Sequence, residues 1–300
     1  ITAKNLYNTE RYTTDGKDSV ILAGGGRIKG SDVYIDVKGK VVNGTEEYEK
    51  GTNRRKDGVL VDNRQVTSIS PSEIKGREVT RIDSGELINT SHIGGTGITI
   101  VNTERNLTNA SIGNAIAVID GKEVLVDGKG GVHNIGAEIR GNEVTQVLSE
   151  KGKIVNESTV KVEKTGASEK TAGKGQLFRL SRNDTPQEMR ESIRNVGKIE
   201  SDGTAYVKAK NEVINIAGNI KGKDGTYVGS ESGNIEDRTV TLHYEGRNVV
   251  ETKTEIREIP VMKRIKFREV PTGEVRKEEV TTSTKWDHRK TTETVSGEIG

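Results

Sequence analysis

Residues able to do chemistry are few in this chain and far apart. The four histidines, His92, His133, His243 and His288, share no metal-ligand spacing. Asp287-His288 is a dyad without a third member and reads as a solvated surface pair. Gly24-Gly25-Gly26 and Gly128-Lys129-Gly130-Gly131 lack the Lys-Ser/Thr and the following helix that a phosphate loop needs. Asp202-Gly203 and Asp224-Gly225 are fragments of a calcium-binding nonapeptide, whose full Gly-Gly-x-Gly-x-Asp pattern does not occur. With no cysteine, a disulfide framework and a thiolate metal site are both excluded. No catalytic, cofactor or metal residue is assigned.

The elements that would position any site follow a weak repeat of roughly 20 residues. Each copy has an isoleucine, a polar link with glycine, an alternating β-branched strand, a turn, and a short apolar pair ending in Asn. Clear copies start at Ile28-Lys29-Gly30, Ile74-Lys75-Gly76 and Ile139-Arg140-Gly141, ending at Asn43, Asn89 and Asn156. Ile93, Ile112, Ile199 and Ile220 open the others, with Asn109, Asn134 and Asn215 closing three of them. The step is 19 residues from Ile74 to Ile93 and again from Ile93 to Ile112. The spacing predicts stacked rungs, with these seven isoleucines in one inward column. Each closing Asn serves either as a turn former or as one member of a side-chain amide ladder.

Composition agrees with a narrow core. The chain has 36 Gly, 30% hydrophobic and 3% aromatic residues, against roughly 45–50% apolar in an ordinary globular domain. Its 47 basic and 45 acidic residues are mixed and leave a net charge of +2. No stripe for nucleic acid, no polybasic membrane patch and no apolar run of membrane-spanning length is present. The fold expected is all-β: a right-handed parallel β-helix over 1–300, with β-hairpin insertions and one short α-helix. Ile1–Asn8 reads as the tail of a rung and Ser296–Gly300 as the start of another, so the chain reads as a piece of a longer array.

Three insertions interrupt the rungs, at about 45–68, 158–197 and 246–295. The first carries Asp57-Gly58, a hairpin turn signal. The second opens as a strand at Val160-Lys161-Val162 and returns at Leu177-Phe178-Arg179-Leu180. It then shows a capping box of Thr185 and Glu188 with Pro186 at the first helical position. Met189, Ile193 and Val196 follow at helical spacing. In the third, Phe267–Val270 and Val275–Glu278 flank Pro271-Thr272-Gly273-Glu274, which predicts a hairpin with a four-residue loop. Met262, Phe267 and Trp286 there are the candidate partner contacts, being residue types enriched at interfaces. The face that carries Phe267 and Trp286 with Ile259, Val261, Ile265 and Val280 either packs on the rungs or meets a partner.

The stretch Gly26-Arg27-Ile28-Lys29-Gly30-Ser31-Asp32-Val33-Tyr34-Ile35 through Val42-Asn43-Gly44 resembles the filamentous-haemagglutinin-type repeat of bacterial two-partner secretion exoproteins. That group includes adhesins and contact-dependent growth-inhibition proteins. The resemblance covers about half of the chain. It implies a secreted or cell-surface monomeric filament, exported through an outer-membrane transporter and acting in adhesion or display of a distal effector. A host or neighbouring-cell receptor would be its partner. The three insertions depart from the pattern, and no N-terminal secretion domain or toxin-tip motif is visible. The shaft of a toxin-delivery protein is the alternative. A polysaccharide-degrading enzyme is the second alternative, for which aromatic residues are sparse and spread along the sequence.

Overall fold

The computed structural model describes residues 1–14, 19–23, 25–66, 71–165, 187–265 and 268–300. The side chains at 11–14, 19–23, 248–257, 259, 261, 263–265, 268–273 and 278–287 are outside that description. The protein is all-β, and no helix occurs among the described residues. Its chain divides into two compact units. One comprises Ile1–Val162, Glu191–Leu242 and Glu293–Gly300; the other comprises Glu163–Arg190 and His243–Thr292.

In the first unit, strands from successive repeats pair in parallel. Period-two alternation puts one side of each strand inward, and pairing in register stacks like on like. The isoleucine column runs Ile28–Ile74–Ile93–Ile119–Ile139–Ile199–Ile220–Ile299. Ile74, Ile93, Ile119, Ile139, Ile199 and Ile220 are completely buried, a burial worth about 1.5–3 kcal/mol per side chain. A second inward column runs Leu6–Val41–Leu87–Leu107–Val132–Ile154–Val213, with Ile235 pairing at its exposed end. The tail-like Leu6–Thr9 and the start-like Glu298–Ile299 both pair as rung strands.

One member of the expected column is corrected. Ile112 does not stack on Ile93; Ile119 does. Ile112 sits in a corner closed by its own hydrogen bonds with Ala115, 3.0 and 2.9 Å. There it is buried against Val66, Ala115 and Tyr48. Gly113, at φ +56°, turns the chain at that corner. The 19-residue step to Ile112 therefore matched the period without matching the register.

The expected α-helix is also corrected. Gln187–Asn195 is a β-strand. Its first residues pair antiparallel with the strand Val240–Ile265, Gln187 opposite Arg247 and Arg190 opposite Tyr244. So short a helix is marginal without a packed face, and an open strand edge overrides the local preference. Thr185, Pro186 and the strand expected at Leu177–Leu180 lie outside the described residues.

The first insertion folds as expected at its turn. Asn53 and Arg54 pair antiparallel with Val61 and Leu60 around Asp57-Gly58, and Gly58 has φ +90°. Val160 pairs in parallel with Val61. In the third insertion, Val240–Ile265 and Arg268–Val295 are neighbouring strands. Pro271–Glu274 lie within the second strand rather than forming the expected loop.

Candidate functional site

Buried polar residues of the first unit form a continuous ladder. Asn8 Nδ2 donates to Asn43 Oδ1 at 2.7 Å, Asn43 to Asn89 at 2.7 Å, and Asn89 to Asn109 at 2.7 Å. Asn109 continues to Asn134 at 2.9 Å, Asn134 to Asn156 at 2.8 Å, and Asn156 to Asn215 at 2.8 Å. Asn215 ends the chain of bonds on Asp237 Oδ1, at 2.9 Å. The six asparagines from Asn43 to Asn215 are fully buried. Their amide groups also close the turns: Asn134 Nδ2 donates to Ala137 O at 2.7 Å and Asn215 Nδ2 to Gly218 O at 2.7 Å. Turn former and ladder member are thus one role, because each amide carries two donors and an acceptor.

A second polar device was missed in the sequence. Thr80 Oγ1 accepts from Gly76 N at 2.7 Å and donates to Gly94 O at 2.8 Å. Thr145 repeats this with Gly141 N and Glu200 O, both at 2.6 Å. Thr226 accepts from Gly222 N at 2.9 Å. The signal was available as Ile-x-Gly-x-x-x-Thr at Ile74, Ile139 and Ile220. A Cβ at Gly76 would fall 1.9 Å from Val79 O, so only glycine fits that corner.

The same strands send alternate residues outward. Thr108, His133, Val155 and Ile214 make one outer column; Ala110, Ile135, Glu157 and Ile216 make the next. The first insertion lies over part of this face. Val59 packs with Val155 and Ile214, and Leu60 with Ala110 and Ile135. Beside it opens a cleft of about 570 Å³, lined among others by Tyr48, Arg54, His133, Lys153, Glu157 and Arg238.

Glu157 is the unusual group in the cleft, a charge within an apolar column and only 1% exposed. Arg54 Nη1 donates to both its oxygens, at 2.8 and 3.1 Å, and to Gly58 O at 2.6 Å. His133 Nε2 stands 3.5 Å from Glu157 Oε1. Burial and the charge of Glu49 raise the Tyr48 phenol above its ordinary pKa. Because Arg54 engages both oxygens of Glu157, the carboxylate is committed to an ion pair that ties the insertion to the stack. Deeper in, Arg64 donates to Asp62 from Nε at 2.8 Å and Nη2 at 2.7 Å. Gly113 N donates to Asp62 Oδ2 at 2.8 Å. Burial opposes ionisation of Asp62, but the Arg64 hydrogen bond and charge and the Gly113 amide hold its carboxyl below the ordinary range.

The remaining histidines are not brought together. His92 pairs with Asp120 at 2.9 Å, and His288 with Glu245 at 3.0 Å. Among the described residues no group of three or more His, Asp or Glu is arranged to hold a metal. Of the candidate partner contacts, Met262 lies in the strand Val240–Ile265 and is 47% exposed. Trp286 lies in the strand Arg268–Val295, with its side chain outside the description, and Phe267 is outside the described residues altogether.

No family model, no curated protein and no solved structure matches the chain.

Proposed function

We propose that this chain is a non-catalytic shaft segment of a secreted or cell-surface bacterial exoprotein, built as a right-handed parallel β-helix of the filamentous-haemagglutinin type. The observation that supports this reading best is the unbroken asparagine ladder from Asn8 to Asp237. A ladder of this kind makes each rung the hydrogen-bond partner of the next. Stability then resides in nearest-neighbour stacking rather than in a single central core, which suits a part whose task is length. Glu157 being bound by Arg54 fits the same reading, since the most buried carboxylate of the cleft is engaged in structure. Export would pass through an outer-membrane two-partner transporter, and the shaft would serve adhesion or display of a distal effector.

The reading is tested by immunogold labelling of source cells with antibodies to this segment. Label on the outer surface, lost on deletion of a neighbouring outer-membrane transporter gene, supports it. Label confined to the cytoplasm overturns it. Release of reducing ends from a polysaccharide by the purified chain would overturn its non-catalytic part.

A further inference from the structure

The middle strand of each repeat turns one side to the core and the other to solvent. Val33, Ile35 and Val37 point inward, which leaves Tyr34 outward and 57% exposed. Register carries that outward position through the stack. Tyr34 pairs with Arg81, Arg81 with Ile100, and Ile100 with Leu125. Leu125 pairs with Gln146, Gln146 with Tyr206, and Tyr206 with Tyr227. Tyr206 and Tyr227 are 38% and 62% exposed, and their rings stand 6.5 Å apart, tilted by 40°. Ile100 and Leu125, between the tyrosines, are partly buried. Solvated outer faces are ordinarily polar; five of the seven residues in this column are apolar or aromatic, Arg81 and Gln146 being the exceptions.

A row of hydrogen-bond acceptors runs beside the first four rungs of this column, from Tyr34 to Leu125; beside the later rungs the same position holds Leu148, Lys208 and Gly229. Asp36, Asp83, Asn102 and Asp127 stack in consecutive rungs, two positions along the same strands. Asn102 Nδ2 donates to Asp83 Oδ1 at 2.8 Å. Asp127 Oδ1 is shielded from solvent and has no hydrogen-bond partner. Burial and the nearby Glu150 hold that carboxyl above its ordinary pKa.

We propose that this outer face binds an extended neutral polysaccharide lying along the stack. Rungs are about 4.8 Å apart, comparable to the length of one pyranose unit in an extended β-linked glycan. Each rung can therefore present one side chain per sugar. Tyrosine rings and the Ile100–Leu125 pair offer flat apolar surface to the C–H faces of pyranose rings, and an exposed aromatic presents such a surface at little entropic cost. The acceptor row takes donors, and hydroxyl groups are what a neutral sugar supplies. The same carboxylates repel a polyanion, which separates neutral from acidic glycans. The proposal goes beyond the shaft reading and stands whether or not the segment belongs to an exported filament.

The test is retention of the full chain on insoluble cellulose, chitin and xylan, with immobilised heparin as the polyanion. At least one neutral polymer should retain the protein. Tyr206→Ala/Tyr227→Ala should weaken retention by about tenfold or more, the loss of two aromatic contacts. Tyr7→Ala, an exposed tyrosine in the outer column of a different strand, should leave it unchanged. Circular-dichroism melting checks the fold of each variant. Tyr227→Ala alone, at the most exposed ring, serves if the double variant melts early. Failure of all neutral polymers, equal loss in Tyr7→Ala, or retention on heparin alone overturns the proposal. A dimer seen by sedimentation and abolished by the double variant also overturns it, by making a second copy the occupant.

Discussion

The inside of the stack and the outer face beneath the first insertion solve the same problem with opposite chemistry. Both bury polar groups that must find partners. Inside, the partners are neutral amides and hydroxyls, Asn134 on Asn156 and Thr80 on Gly94 O. Under the insertion they are full charges, Arg54 on Glu157 and Arg64 on Asp62. The difference follows from repetition. A residue stacked on its own kind must donate and accept, which Asn and Thr do; a column of like charges would repel itself. The insertion occurs once, so each residue meets an unlike neighbour and opposite charges can be paired.

The sharpest break of the comparison is at the apolar column. Ile119→Asp places an unpaired carboxylate in the stack and should cost several kcal/mol, about 4 or more, lowering the denaturation midpoint far below that of Asp202→Ala. Asp202 is a half-exposed turn residue paired with Arg140, and its loss should stay within about 0.5 kcal/mol. Similar midpoints for the two variants would refute the inward assignment.

Next comes an asymmetry within one ion pair. Arg54→Met strands Glu157, whose side chain is 2% exposed, whereas Glu157→Leu frees an Arg54 that is 44% exposed. The first should cost about 3 kcal/mol and the second about 1 kcal/mol or less. Urea melts of both decide it; equal costs would show that the cleft is wetter than its geometry. For the ladder, Asn134→Asp removes the donors to Asn156, Ala137 and Lys198 and should cost about 2–3 kcal/mol. Here no partner charge exists to rescue it, whereas the charged pairs depend on theirs.

pH sharpens the same contrast. Asp62 has a folded pKa below its ordinary 3.8. Its contribution is therefore fully present above that value and fades as pH falls through the lower, folded pKa. Asp62→Asn should flatten the loss of stability below pH 3.8, while Asn134 variants should leave its slope unchanged. The smallest effect is expected at Glu231, held down to about 2 by Lys210 and Lys208 on the open surface. Glu231→Gln should leave the melting temperature unchanged in physiological salt, because exposed pairs are screened. A clear drop would mean that surface pairs brace the stack as the buried ones do.

Much of the stack was legible in the sequence. The repeat marked six of the seven isoleucines it placed inward, the Asn positions marked the rung ends with ladder as one of two roles, and Asp57-Gly58 marked the insertion's turn. These are local signals, each set by backbone geometry over a few residues. Little of the cleft was legible, because Arg54 and Glu157 are 103 residues apart and no local pattern announces their meeting.

Three matters were decided only in three dimensions. Ile112 and Ile119 both fit an approximate period, and pairing with Ile93 and Ile139 selected Ile119, since a rung bonds to its neighbours and not to a count of residues. Gln187–Asn195 has helical spacing, yet an antiparallel partner strand supplied hydrogen bonds that a short helix could not match. Tyr34, Tyr206 and Tyr227 look scattered along the chain, and register alone sets them in one outward column. The sequence by itself determined which side of each strand is apolar and where each rung turns, because sterics and alternation act locally. Which rung lies on which, and so which distant residues share a face, was settled by hydrogen bonding between strands, a term that exists only once the chain has folded.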